Sequence, residues 1–93
     1  MSDKVVNITL NGGGLPVPSE DPIEIKKDDQ KIKWCSEFEF TIAIENYTDV
    51  KYSSGSGACA FEAKTGQFKQ AQTYKYSITA NGKTNDPDII VKP

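Results

Sequence analysis

The fold class is indicated most directly by Tyr74-Lys75-Tyr76-Ser77-Ile78-Thr79-Ala80, a stretch that is followed by Asn81-Gly82. Its apolar side chains recur at every second position, so an extended chain would carry them all on one face. An amphipathic helix would instead repeat them every three or four residues. Asn-Gly is one of the strongest turn signals, because both residues tolerate the backbone angles of tight turns. The stretch therefore predicts a half-buried β-strand that ends at a turn.

The same two-residue period recurs along the rest of the chain. It is clear at Val6–Leu10 and Phe38–Ile44, and shorter apolar pieces fit strands at Ile23–Ile25, Ile32–Trp34, Val50–Tyr52 and Ile89–Val91. Turn-forming or flexible segments separate these strands at Asn11–Gly14, Lys27–Gln30 and Ser53–Gly57. Only Ala58–Gln70 has a composition that could hold a helical turn. The pattern predicts an all-β fold, a small sandwich or barrel of about seven to eight strands.

Chain length and charge limit the partners that we expect. Ninety-three residues predict a single domain spanning residues 1–93. The net charge of −2 argues against nucleic acid or an anionic membrane surface as the main partner. No apolar run approaches the roughly 20 residues of a membrane-spanning helix, and the chain does not begin like a signal peptide. We expect a cytoplasmic protein or a mature exported domain without its leader, as a monomer or weak dimer.

Two residue types are missing from the sequence, and their absence excludes several kinds of chemistry. The chain has no histidine, and all eleven of its basic residues are lysine. Without an imidazole, neither a Ser-His-Asp or Cys-His nucleophile nor a histidine metal site can be built. Without a guanidinium, the bidentate capture of phosphate or carboxylate is excluded as well. We therefore predict that the protein is not an enzyme.

The two cysteines, Cys35 and Cys59, could form one intramolecular disulfide. Bridging a loop of about 25 residues would stabilise the fold by roughly 3 kcal/mol. The alternative is a pair of unrelated thiols in a reducing compartment. Both interpretations stay open, because the sequence does not give the distance between the two Cα atoms.

Several segments resemble those of cupredoxin-like domains. The resemblance is carried by Ile23-Glu24-Ile25, Lys31-Ile32-Lys33-Trp34, Phe38–Ile42, Tyr74–Lys83 and Asp86–Val91. These segments are similar to the strands of small bacterial members of unknown function, and they cover the chain from about Ile23 to Val91. The resemblance implies a small Greek-key β-sandwich of cupredoxin-like, immunoglobulin-like topology. It implies a fold and no activity, since one fold serves many functions.

The copper site of this family is absent from the sequence. Copper-carrying members hold the metal with two histidines, a cysteine and a weak axial ligand that is usually methionine. This chain has no histidine, and its only methionine is Met1. Where a copper protein would place its ligand loop, the chain has Asn81–Asp86. We therefore predict a copper-free domain without a cofactor.

Two tyrosines are the best candidates for an exposed binding surface. Tyr47 and Tyr52 lie near predicted strand ends, whereas Tyr74 and Tyr76 share the apolar face of their strand. With Ser54 and Ser56 in the Ser53–Gly57 loop, they would form a rim that binds a protein or a carbohydrate. The alternative is that these aromatic side chains pack in the core.

Acidic residues suggest two further sites, each with a simpler alternative. Asp86 and Asp88 could contribute oxygen ligands to a calcium ion, or they could cap the turn before the last strand. Glu37, Glu39 and Glu45 could supply the paired carboxylates of a hydrolase, or they could be solvated charges on a strand. In both cases we expect the simpler alternative.

The function expected from these observations is that of a non-enzymatic binding or structural module. The alternative is a thiol-redox or metal-handling protein that uses Cys35 and Cys59.

Overall fold

Strands make up the regular structure of the chain in the computed structural model, which describes residues 4–56 and 59–93 apart from the side chains of residues 54–56. Within these residues there is no helix, and the prediction of an all-β fold is confirmed. The strands are β1 (Lys4–Leu10), β2 (Pro16–Pro18), β3 (Ile23–Lys26), β4 (Ile32–Ser36), β5 (Thr41–Ile44), β6 (Val50–Ser56), β7 (Cys59–Thr65), β8 (Thr73–Ala80), β9 (Lys83–Asn85) and β10 (Asp88–Lys92). In the described part of the chain, these ten strands exceed the expected seven to eight, because β2, β7 and β9 lie outside the segments that were predicted as strands.

The strands form two mixed sheets. The first sheet has the order β2-β1-β4-β7-β6, in which β1 and β4 are parallel and the other pairs are antiparallel. The second sheet has the order β3-β10-β8-β5, in which β3 and β10 are parallel and β9 also pairs with β8. Strands β6 and β5 are therefore edge strands of different sheets.

One hydrophobic core receives side chains from both sheets. The first sheet contributes Val6, Ile8, Ile32, Trp34 and Ala63, and the second contributes Ile23, Ile25, Ile42, Ile44, Tyr74, Tyr76, Ile78, Ala80, Ile89 and Val91. Trp34 and Tyr76 meet across the core with their ring centroids 5.3 Å apart. The Trp34 indole N–H donates to the Tyr76 hydroxyl at 3.4 Å. The burial of Tyr76 raises the pKa of its hydroxyl, because burial disfavours the charged phenolate.

The turn predicted at Asn81-Gly82 is confirmed. Ala80 pairs with Lys83 in the β8–β9 ladder, so Asn81 and Gly82 form a two-residue hairpin loop. Both residues have positive φ angles, 54° and 72°, as a type I′ turn requires. The Lys83 ammonium donates to the Gly13 carbonyl at 2.6 Å and thereby joins this hairpin to the β1–β2 turn.

The hairpin of β6 and β7 differs from the local prediction. Residues 53–56, expected to be a flexible loop, belong to β6, and Gly57 lies outside the described residues. Residues 59–65, where a helical turn was possible, form β7. The two strands pair from Val50↔Thr65 to Ser56↔Cys59, and β7 also pairs with β4. These ladders pair the backbone polar groups of β7 on both sides and those of β6 on one side, and tertiary pairing of this kind overrides local propensity.

Candidate functional site

The side chain of Tyr52 bridges the edges of the two sheets. Tyr52 pairs with the buried Ala63 in the β6–β7 ladder, so its side chain starts on the inner face of the first sheet. From there it reaches edge strand β5 of the second sheet. Its hydroxyl donates to the Ile42 carbonyl at 2.5 Å and accepts from the Ile42 N–H at 2.8 Å.

These two hydrogen bonds fix the orientation of an exposed aromatic ring. Tyr52 keeps 51% of its surface accessible, which makes it one of the most exposed large apolar residues in the described chain. An exposed tyrosine normally rotates about its side-chain bonds, whereas this one is held at its far end by backbone atoms. Tyr52 therefore presents an exposed side chain to solvent in a fixed orientation.

A groove runs along this ring at the open seam between β5 and β6. Its volume is about 380 Å³, and it is lined by Glu39, Phe40, Thr41, Tyr52, Ser53, Phe61 and Glu62. The lining combines aromatic residues with carboxylates and hydroxyls, and it includes no lysine. Such a lining suits an uncharged ligand that has both apolar faces and hydroxyl groups.

Tyr47 lies in different surroundings. Its ring stacks on that of the buried Phe68 with the centroids 4.4 Å apart, and it meets the ring of Tyr74 edge-on at 6.2 Å. It lines a separate depression of about 430 Å³ beside Tyr74. The structure thus places the two candidate tyrosines in different depressions. The other two predicted rim residues, Ser54 and Ser56, have side chains outside the described part of the structure.

The hydroxyl of Tyr47 is buried without a well-formed hydrogen bond to any described residue. Burial raises the pKa of this hydroxyl, and the nearby Asp49 carboxylate raises it further. The Thr65 hydroxyl and the Gly66 backbone act in the opposite direction. The balance disfavours the phenolate, so Tyr47 carries a neutral polar atom that gains little from its site.

We predict that Tyr47→Phe leaves the free energy of unfolding unchanged or raises it by up to about 1 kcal/mol. The reason is that removing a buried hydroxyl without a partner relieves a desolvation penalty while the ring stacking is retained. Urea denaturation of the variant and the wild type measures the difference. A loss of stability above about 1 kcal/mol would show instead that the hydroxyl makes a good hydrogen bond in solution.

Cys35 and Cys59 form a disulfide between β4 and β7. Their Cα atoms are 5.3 Å apart, within the range that disulfides require. Of the two interpretations that the sequence left open, the structure therefore shows the disulfide and not two unrelated thiols. Cys35 is only 6% exposed, and it also lines a groove of about 580 Å³ with Leu10 and Phe38. The disulfide therefore lies just below the surface of the first sheet.

Glu62 lies directly beside this disulfide, and sequence reasoning missed it. It pairs with Cys35 in the β4–β7 ladder, so both side chains project from the same face. The Lys33 ammonium is 3.1 Å from one Glu62 oxygen, and the Lys64 ammonium and the Ser53 hydroxyl are 3.9 and 3.1 Å from the other. The hydrogen bond from Lys33 is the main cause that lowers the pKa of Glu62. The sequence signal that could have pointed to this site is the pair of opposite charges at Glu62 and Lys64, which lie two positions apart and so on the same face of a strand.

The acidic residues considered for calcium or catalysis do not converge. Asp88 pairs with Lys75 at 3.2 Å, and Asp86 is exposed. Glu37, Glu39 and Glu45 are all exposed, as expected for solvated charges. Across residues 4–56 and 59–93, the one group of three cysteine or acidic residues with donor atoms within 4.8 Å of one another is Cys35, Cys59 and Glu62.

Comparison with protein-family models, curated proteins and solved structures found no match to this chain. Among the described residues, no helix has the length and apolar character needed to cross a membrane.

Proposed function

We propose that this protein is a copper-free cupredoxin-like domain that acts as a non-enzymatic binding module, as a monomer or weak dimer. Its ligand is a neutral carbohydrate, and its binding surface is the groove along Tyr52. The observation that carries the proposal is the exposed Tyr52 ring held by two hydrogen bonds to Ile42. The two mixed sheets with one core are compatible with the proposed topology.

The chemistry of the groove suits a sugar ring. The apolar C–H face of a pyranose packs on an aromatic ring, while its hydroxyls need hydrogen-bond partners at the rim. Tyr52 offers the ring, and the lining residues Glu39, Thr41 and Ser53 offer carboxylate and hydroxyl groups. Because Tyr52 is already ordered, binding would lose less side-chain entropy than binding to a mobile ring.

The proposal is tested by titrating the ¹⁵N-labelled protein with neutral cello-, xylo- and chito-oligosaccharides. We expect amide shifts at Thr41, Ser53 and Phe61 with at least one series, and about tenfold weaker binding by Tyr52→Ala, which removes the stacking surface. Tyr52→Phe keeps the ring but not its fixed orientation, so this variant should lose less binding affinity than Tyr52→Ala. Lys51→Ala, a change at an exposed neighbour on β6, is the matched control and should bind like the wild type.

Two results would contradict this assignment. One is the absence of groove shifts with all three series, which would favour a protein as the partner. The other is unchanged affinity of Tyr52→Ala, which would place the saccharide elsewhere on the surface.

A second proposal is that Cys35 and Cys59 act as a reversible thiol–disulfide pair. Cys35 lines a surface groove, so a reductant can approach the buried bond. In an oxidising compartment the pair would stay bonded, whereas in a reducing one it would cycle. Titration of free thiols in the folded protein after treatment with a dithiol should find two per chain. Finding none under native conditions would make the bond purely structural.

A further inference from the structure

We propose that the reduced protein binds one thiophilic divalent cation, such as Zn²⁺, through Cys35, Cys59 and Glu62. This inference rests on the proposed reversibility of the disulfide. The cation site and the disulfide are alternative states of the same cysteines, because a sulfur atom in a disulfide is not a thiolate ligand.

The geometry of the three side chains carries the inference. Their donor atoms already lie within 4.8 Å of one another. Zinc binds thiolate at about 2.3 Å and carboxylate at about 2.1 Å, so ligand atoms around one tetrahedral ion lie roughly 3.5–3.8 Å apart. After reduction, the two sulfurs separate to this distance, and the carboxylate approaches by at most about 1.2 Å. Both movements are within the reach of side-chain rotation. The β4–β7 ladder holds the backbone of Cys35 and Glu62, and the β6–β7 ladder holds that of Cys59.

The charges around the cluster suit a divalent ion. Two thiolates and the Glu62 carboxylate carry three negative charges, which leave one unit in excess of a divalent cation. Lys33 and Lys64 contact the oxygens of Glu62, and their two positive charges more than offset this excess. Their contacts and that of the Ser53 hydroxyl also hold the carboxylate in place, as the hydrogen-bonding partners of metal ligands commonly do.

The cation site forms in two steps, reduction of the disulfide and then binding of the cation. An external dithiol transfers two electrons and two protons to the Cys35–Cys59 bond, giving two protein thiols while the dithiol becomes a disulfide. The cation then binds both sulfurs and one Glu62 oxygen, and the two thiol protons pass to solvent. A water molecule completes the tetrahedral coordination.

Co²⁺ is the probe, since its thiolate complexes absorb light by charge transfer from sulfur. We expect no such band with the oxidised protein and a band that saturates at one Co²⁺ per chain after dithiol reduction and removal of excess reductant. Excess Zn²⁺ should remove the band by displacement. Cys35→Ala should abolish it, and Glu62→Gln should weaken Co²⁺ binding by about tenfold or more. Glu62→Asp keeps the negative charge, so its Co²⁺ affinity should lie between those of Glu62→Gln and the wild type.

The control variant is Glu45→Gln, which removes an exposed carboxylate outside both the cluster and the Tyr52 groove and should leave Co²⁺ binding unchanged. Near-ultraviolet circular dichroism from buried Trp34 monitors the fold of each reduced sample. Loss of this signal on reduction overturns the cation site, because an unfolded chain has no Cys35–Glu62 pairing.

The remaining outcomes separate the two proposals. If no thiols form in the folded protein, the reversible disulfide and the cation site both fail. If two thiols form but no Co²⁺ band develops, only the cation site fails. Equal Co²⁺ affinities of wild type and Glu62→Gln would remove Glu62 from the ligand set and overturn the inference.

Discussion

Reduction of the Cys35–Cys59 disulfide is expected to lower the free energy of unfolding by about 3 kcal/mol. The bond joins residues separated by 24 positions, and its loss releases the closed loop in the unfolded chain. For a domain of this size, such a change lowers Tm by about 12–24 °C. Urea denaturation of the oxidised and reduced protein measures it directly, since the two samples share every side chain.

The double variant Cys35→Ala/Cys59→Ala is the control for the reductant itself. It should unfold close to the reduced wild type and should not respond to a dithiol. The denaturant dependence of the unfolding free energy should also become steeper without the bond, because the unfolded chain exposes more surface. Coinciding curves for the oxidised and reduced wild type would mean that the loop is already restricted in the unfolded state.

Truncation of Trp34 is expected to have a larger effect, with Trp34→Ala losing about 3–5 kcal/mol of unfolding free energy. The indole is fully buried in the centre of the first sheet and packs against the ring of Tyr76. Its removal leaves a large cavity and also takes the N–H donor away from the Tyr76 hydroxyl. A domain of 93 residues is stable by about 5–14 kcal/mol, so the variant approaches marginal stability.

Far-ultraviolet circular dichroism is the appropriate signal for this experiment, because the variant lacks the only tryptophan. Trp34→Phe keeps an aromatic ring, so it should lose clearly less unfolding free energy than Trp34→Ala. Val5→Ala on the exposed face of β1 is the matched surface control, with an expected change within about 0.5 kcal/mol. A loss below about 1 kcal/mol for Trp34→Ala would show that the core refills the space by collapsing.

The strands with alternating apolar and polar residues were predictable from sequence, because this alternation indicates which side chains of a strand are buried. In β8, the side chains at 74, 76, 78 and 80 are buried, as the two-residue period requires. The Asn81-Gly82 turn was equally predictable, since its backbone angles suit few other residue pairs. The prediction of a strand at Phe38–Ile44 was only partly right. The strand β5 begins at Thr41, and Phe40 is buried just before it.

The remaining elements depend on contacts that local sequence does not encode. The serine-rich end of β6 is a strand because β7 lies beside it, and β7 is a strand because β4 and β6 enclose it. The candidate sites have the same origin. Glu62 meets the cysteines through the register of β4 with β7, and Tyr52 meets Ile42 through the placement of two sheet edges. The sequence shows that these residues are present, whereas the contacts between them depend on how the strands and sheets are arranged.

The contact between Tyr52 and Ile42 also bears on how the protein avoids self-association. An exposed edge strand offers unpaired N–H and C=O groups to which a strand of another molecule can add, and such additions seed aggregates. On β5, both backbone groups of Ile42 are already occupied by one tyrosine hydroxyl. The side chain that faces solvent in the groove thus also keeps this edge from serving as a template for intermolecular β-sheet.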